Sequence, residues 1–278
     1  MKVIAIIGCG RISDIAHLPT LSSLDNVRIK YACDIIIDKA KQKQEKYQKV
    51  EQVIEDYHIA LNDPEVDAVY VLTPNYLHYT ITMDALKAGK DVFCEKPITI
   101  NYELSKKMKE EADKQNRILN IGVCNRYHKS VELLEELVKK GELGEVYHVY
   151  CSFRNYRNIP GLGGAFTTKE IAGGGVLIDW GIHFLDLILY VLGNPKIKTV
   201  TCDAYNEMAK DMNHINILAT CGLAILQILK TEQMMLKIMF QVTLEQPEPQ
   251  FHLMEHGLKT FVKMKCILIS SETKKVRD

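Results

Sequence analysis

Short apolar runs alternate with longer amphipathic segments through the first 124 residues, and this alternation constrains the fold more than any other feature of the chain. KVIAII (2–7), VRIKYAC (27–33), DAVYVL (67–72), DVFCE (91–95) and ILNIGVC (118–124) have the length and β-branched content of buried strands. Between them the segment ending near Leu24, the Lys/Gln-rich stretch 38–49, NYLHYTITMDALKAG (75–89) and residues 101–116 read as helices. Gly89 closes the third of these at a position where helices commonly end. Strands that alternate with helices predict parallel βαβ units and a doubly wound sheet.

In such a sheet the ligand crevice lies beyond the carboxyl ends of the strands. The first strand runs into GCGRIS, where Gly8 permits a tight turn and Gly10 lets a pyrophosphate approach the backbone at a helix N-terminus. Arg11 and Ile12 open that helix. The third position of the glycine fingerprint is Ser13, a departure that still allows close helix–strand packing. Asp34 ends the second strand, 24 residues after Gly10. A carboxylate there accepts hydrogen bonds from the ribose hydroxyls of NAD and repels the 2′-phosphate of NADP, although a plain turn residue would look the same. NAD is therefore the expected cofactor, with NADP open.

Two further strand ends carry polar clusters, LTPNYLH (72–78) and CEKPI (94–98). Thr73, Pro74, Asn75 and His78 in the first, and Glu95 and Lys96 in the second, are candidates to face a bound nucleotide. Asn75 and His78 could equally cap the helix that follows. Pro97 disfavours the helical region for its predecessor and holds Lys96 extended, a better candidate for a positioned cation than a typical surface lysine. Arg126, just past the last strand, could line the site or form an ion pair at a domain interface.

The stretch GGGVLIDWGIHFLDL (173–187) reads as a helix that is apolar almost everywhere, yet Asp179, His183 and Asp186 fall on one stripe of it. A solvated face of an ordinary amphipathic helix would explain the stripe equally well. Composition narrows the alternatives. Lys plus Arg equals Asp plus Glu at 35 each, which recommends neither nucleic acid nor an anionic membrane as a partner. No apolar run reaches the ~18 residues of a membrane span. The N-terminal run VIAII is too short for a signal peptide. Eight cysteines without a CxxC pair, and nine histidines without ligand spacing, read as buried reduced thiols in a cytoplasmic protein with no metal site.

IIGCGRISDIAHLPTL, VYVLTPNYLHYTITMDALKAGKDVFCEKPI, NRYHKSVELLEELVKKGELGEV and GGGVLIDWGIHFLDLILYVLG together resemble the glucose–fructose oxidoreductase / inositol dehydrogenase / rhizopine-catabolism (Gfo/Idh/MocA) family. The resemblance implies an NAD(P)-binding Rossmann domain over residues 1–124. It also implies a substrate-binding and oligomerisation α+β domain over 125–278 with an open, mostly antiparallel sheet, and a site at their junction. By motif it carries the family's catalytic lysine, aspartate and histidine to Lys96, Asp179 and His183. Hydride exchange with a secondary alcohol of a sugar, sugar derivative or cyclic polyol is the implied activity, and a homodimer or tetramer the implied assembly. A catalytically impaired nucleotide-binding regulator of the same fold is the competing reading.

Past Asn216 the resemblance stops. Where the family continues through long alternating strands, residues 217–240 are continuously apolar with weak turns. Either a changed reading frame near Ile217 or a divergent segment that pairs with another chain is expected there.

Overall fold

The computed structural model describes residues 1–153, 168–203, 240–244, 258–263 and 267–273, the last three ranges as backbone. The altered stretch expected after Asn216 falls largely outside these residues, and so does 154–167. Two compact units are present. The first comprises Met1–Val123 and Gly161–Asp179, the second Cys124–Pro160 and Trp180–Asp278.

The first unit is built from β1 (Lys2–Ile7), α1 (Leu18–Ser23), β2 (Val27–Cys33), α2 (Ile37–Lys46), β3 (Val50–Ile54), α3 (His58–Asn62), β4 (Ala68–Val71), α4 (His78–Lys87), β5 (Asp91–Cys94), α5 (Tyr102–Gln115) and β6 (Leu119–Ile121). Its six strands are parallel in the order β3-β2-β1-β4-β5-β6. The chain reverses direction of winding between β1 and β4, and this is the switch point at which such sheets bind ligands. β1 reads as an unbroken apolar run because both its faces are covered. Val3, Ala5 and Ile7 pack with Ile81 and Leu86 of α4 and Met108 of α5. Ile4 and Ile6 pack with Leu18 and Leu21 of α1 and Ala40 of α2.

β3 escapes a reading based on apolar runs. It is an edge strand, VEQVI, whose Glu51 and Gln52 are exposed. Gly173 is not helical either. Its φ of +79° is one that side-chain-bearing residues avoid, and a Cβ there would lie 2.5 Å from Ile100 Cγ2. The chain enters helix only after this turn, through a π-helical turn at Leu177–Gly181.

The second unit contains α6 (Lys129–Lys139), β7 (Glu145–Cys151), α8 (Ile182–Val191) and β8 (Ile197–Cys202); α7 (Lys169–Ala172) belongs to the first. Val131 and Leu134 of α6 form its core with Leu143 and with Leu187 and Val191 of α8. Further along are β9 (Phe240–Leu244), β10 (Leu258–Lys263) and β11 (Ile267–Thr273). Its ladders are antiparallel, β10-β11-β7 and β8-β9. Among the described residues no helix is long and apolar enough to cross a membrane.

Candidate active site

The glycine turn follows β1 directly. Gly8 donates its N–H to Cys33 O at 2.8 Å and adopts φ +100°, with its Cα pressed against the end of β4, where a Cβ would lie 2.6 Å from Leu72 O. Among the described residues, nothing lies within 4 Å of where a Gly10 Cβ would be. The chain is helical from residue 11 and includes a π-helical turn at Ser13–His17, in which Leu18 N–H donates to Ser13 O. Ser13 is fully buried and its Oγ donates to Gly10 O at 2.7 Å. The side chain that departs from the glycine fingerprint therefore ties the turn to its helix. Asp34 sits below the turn: Oδ2 accepts from Cys9 N–H and Oδ1 from Ile36 N–H, each at 2.9 Å. Arg11 and Ile12 are exposed beside it.

Across the switch point, Thr73 Oγ1 is buried without a hydrogen-bond partner among the described residues. Asn75, in the 3-10 turn Asn75–Leu77 that precedes α4, donates from Nδ2 to Ala172 O at 2.9 Å and so binds that turn to the end of α7. His78 lies between the two strand-end loops. It is 1% exposed, with Nδ1 2.7 Å from Pro97 O and Nε2 2.8 Å from Thr73 O. Buried, with a carbonyl oxygen against each ring nitrogen, it braces the two strand-end loops.

Burial depresses the His78 pKa below 6.5, and the two carbonyls offset this only in part. Folding therefore disfavours the imidazolium relative to the unfolded chain, which takes up a proton below ~6.5. The contribution is complete above that pH and is lost as pH falls towards the depressed folded value. Thermal unfolding followed from pH 7.5 to 5 is expected to show a steeper acid loss of Tm in the wild type than in His78→Gln. Equal slopes would remove His78 from the account.

Lys96 lies at the carboxyl end of β5, where Glu95 N–H continues the strand pairing to Val71 O at 3.0 Å. The Lys96–Pro97 peptide bond is cis. Lys96 Nζ donates to both Asp179 Oδ1 and Asp179 O, each at 2.8 Å, with the two side chains 18% and 27% exposed. The Glu95 carboxylate turns the other way: Oε1 accepts from His17 Nε2 at 2.7 Å and Oε2 from Lys96 N–H at 3.0 Å. No spacing in the sequence connects His17 with Glu95, and a helix–strand contact alone brings them together.

His183 is half-buried on α8, in the second unit. Arg126 is in that unit too, and its guanidinium is committed: Nε donates to Asp186 Oδ2 at 2.6 Å, Nη2 donates to Asp186 Oδ1, and the cation lies 5.1 Å over the Tyr190 ring. The Asp186 hydrogen bonds raise the Arg126 pKa further. Asp186, one of the three polar residues on the apolar helix, is thereby a structural partner.

These features suit a dinucleotide. The space above Gly10 admits a phosphate at a helix N-terminus, and the orphaned Thr73 hydroxyl lies at the switch point. Among the described residues no cluster of three or more His, Cys, Asp or Glu could hold a metal.

Comparison with known proteins agrees with this geometry. Residues 2–123 match the family model described as an oxidoreductase family with an NAD-binding Rossmann fold, and residues 131–228 match the GFO/IDH/MocA C-terminal domain. D-glucoside 3-dehydrogenase of Escherichia coli is 35% identical over 205 residues, 74% of this chain and 58% of that protein. The scyllo-inositol 2-dehydrogenase (NADP(+)) of Bacillus subtilis is 28% identical over 219 residues, 79% of this chain and 60% of that protein. Among solved structures, GenD2 from gentamicin A biosynthesis in complex with NAD superposes with a TM-score of 0.70 at 26% identity, covering 75% of this chain and 58% of that one. The chain spans less than two thirds of the length of each of these relatives. With both its halves matched in order, the chain belongs to the GFO/IDH/MocA oxidoreductase family.

Proposed function

We propose that the chain is an NAD(P)-dependent dehydrogenase acting on a secondary alcohol of a sugar, sugar derivative or cyclic polyol. The observation that carries this reading is the Lys96–Asp179 ion pair at the carboxyl end of β5, in the same unit as a nucleotide-binding glycine turn. Bound nicotinamide would supply the hydride acceptor. Lys96 stabilises the alkoxide as the carbinol C–H bond breaks, and Asp179 holds the amine at its station. His183, four residues after Asp179, takes the hydroxyl proton, a task suited to an imidazole near neutral pH. On this reading, residues 1–124 bind the nucleotide, 125–278 shape the substrate site and the assembly, and a homodimer or tetramer works in the cytoplasm.

Trp180 is the only tryptophan of the chain and adjoins Asp179. Titration with NADH is expected to give saturable energy transfer from Trp180 to the nicotinamide. A folded protein that shows no transfer would sink the proposal.

Asp34 decides between the two nucleotides. Its carboxylate also holds Cys9 N–H, so Asp34→Ala should weaken both ligands, but it removes the repulsion felt by a 2′-phosphate alone. The ratio of NADPH to NADH dissociation constants is expected to fall by about tenfold, roughly the 1–2 kcal/mol of a charge-assisted contact. An unchanged ratio would place ribose recognition elsewhere.

A further inference from the structure

We propose that His17 is a positioning residue for Lys96, acting through Glu95; the proposal rests on the dehydrogenase reading of Lys96. His17 closes the π-helical turn that follows the glycine turn, and from there its ring reaches the end of β5. The ring meets Phe93 edge-on at 5.1 Å and Tyr70 edge-on at 5.9 Å, and these two rings stack on one another at 5.0 Å. These contacts hold the plane of the imidazole, and Nε2 lies 2.7 Å from Glu95 Oε1. On its far side the Glu95 carboxylate is packed against Gly122, where a Cβ would lie 3.1 Å from Oε2. His17 and Glu95 are 13% and 14% exposed, so the pair is shielded from water.

The second carboxylate oxygen accepts from Lys96 N–H at 3.0 Å, so the anchor set by His17 fixes the main chain from which the lysine side chain starts. The other end of that side chain is fixed by Asp179. Without His17 a nearly buried carboxylate keeps only the Lys96 N–H, a costly state that it would relieve by turning to a nearby cation. Lys96 is its chain neighbour. The imidazole thus keeps Glu95 occupied and leaves the Lys96 amine to Asp179 and to substrate. A misplacement of about 1 Å at such a group is worth one to two orders of magnitude in rate.

The test uses the full chain as wild type, His17→Ala, His17→Gln, Lys96→Ala and the His17→Ala/Lys96→Ala double variant, with folding checked by circular dichroism. Exchange of the Lys96 amide proton is read by NMR, NADH affinity by Trp180 fluorescence, and turnover with NAD and methyl glucoside. His17→Ala is expected to speed Lys96 amide exchange and to lower kcat by about tenfold, with NADH affinity unchanged. His17→Gln, which returns an N–H donor, should recover most of both. In the Lys96→Ala background the His17 substitution should cost almost nothing further, because the two act as one unit. Unchanged Lys96 amide exchange, fully additive kcat losses, or a fall in NADH affinity that parallels kcat would each overturn the proposal. If the wild type turns over no methyl glucoside, the exchange measurement still decides the role of His17, and only the activity assigned to Lys96 is in question.

Discussion

Lys96→Ala is expected to lower turnover by about 10²-fold or more while leaving NADH affinity close to that of the wild type. The separation of the two effects follows from where the contacts lie. The glycine turn is built by Gly8, Gly10, Ser13 and Asp34, none of which touches the Lys96 amine. The amine instead bonds Asp179 twice, and its removal leaves the partly buried Asp179 carboxylate without its counter-charge. In the proposed reaction the loss falls on the developing alkoxide and not on the adenine end of the nucleotide. Lys96→Arg should not restore the rate, since a planar fork cannot reproduce a compact ammonium that donates to one carboxylate oxygen and one carbonyl. Steady-state kinetics beside a fluorescence titration check both halves. Turnover equal to the wild type would remove Lys96 from the chemistry.

Gly8→Ala is expected to cost about 2–4 kcal/mol of stability, because two penalties coincide at one atom. The backbone sits at φ +100°, and the new methyl would lie 2.6 Å from a main-chain oxygen that β4 cannot withdraw without breaking its pairing with β1. For a chain of this size the Tm should fall by about 5–15 °C. Gly10→Ala supplies the contrast. Its added Cβ meets nothing within 4 Å, so the fold should hold, and the loss should appear in nucleotide affinity alone. Circular dichroism melts and NADH titrations of both variants separate the roles. A Gly8→Ala protein that melts with the wild type would contradict the close approach of Gly8 to Leu72.

The central strands were legible in the sequence because a parallel strand covered on both faces is apolar past its first residue, as β1, β4 and β5 are. β3 was not legible, since an edge strand is held by pairing on one side and keeps Glu51 and Gln52 in water. Local chemistry announced Gly8, Gly10 and Asp34 through their order along the first two strands. It could not say that Ser13 would close the turn through a hydroxyl, nor that both Asp34 oxygens would take backbone N–H groups. Asn75 and His78 lie in the cluster that spacing indicated. Their partners, Ala172 O and Pro97 O, are set by tertiary contact and left no trace in periodicity. Resemblance to the family assigned Lys96 and Asp179 to one site, but the ion pair between them, across 83 residues, was not legible in the sequence. Recognition by motif ended at Asn216, whereas the C-terminal-domain match continues to residue 228.

Cys9 lies inside the glycine turn with its Sγ donating to Cys33 O, and burial, with the charge of Asp34 second, pushes its thiol up to about 12. At any ordinary pH the closed turn offers an alkylating reagent neither access nor a thiolate. Modification of Cys9 has to pass through an opened turn, so its rate, divided by that of an unfolded thiol, equals the fraction of time the turn stands open. The nucleotide-binding loop of this protein therefore contains its own gauge of breathing, readable residue by residue from a peptide map with no probe engineered into the chain.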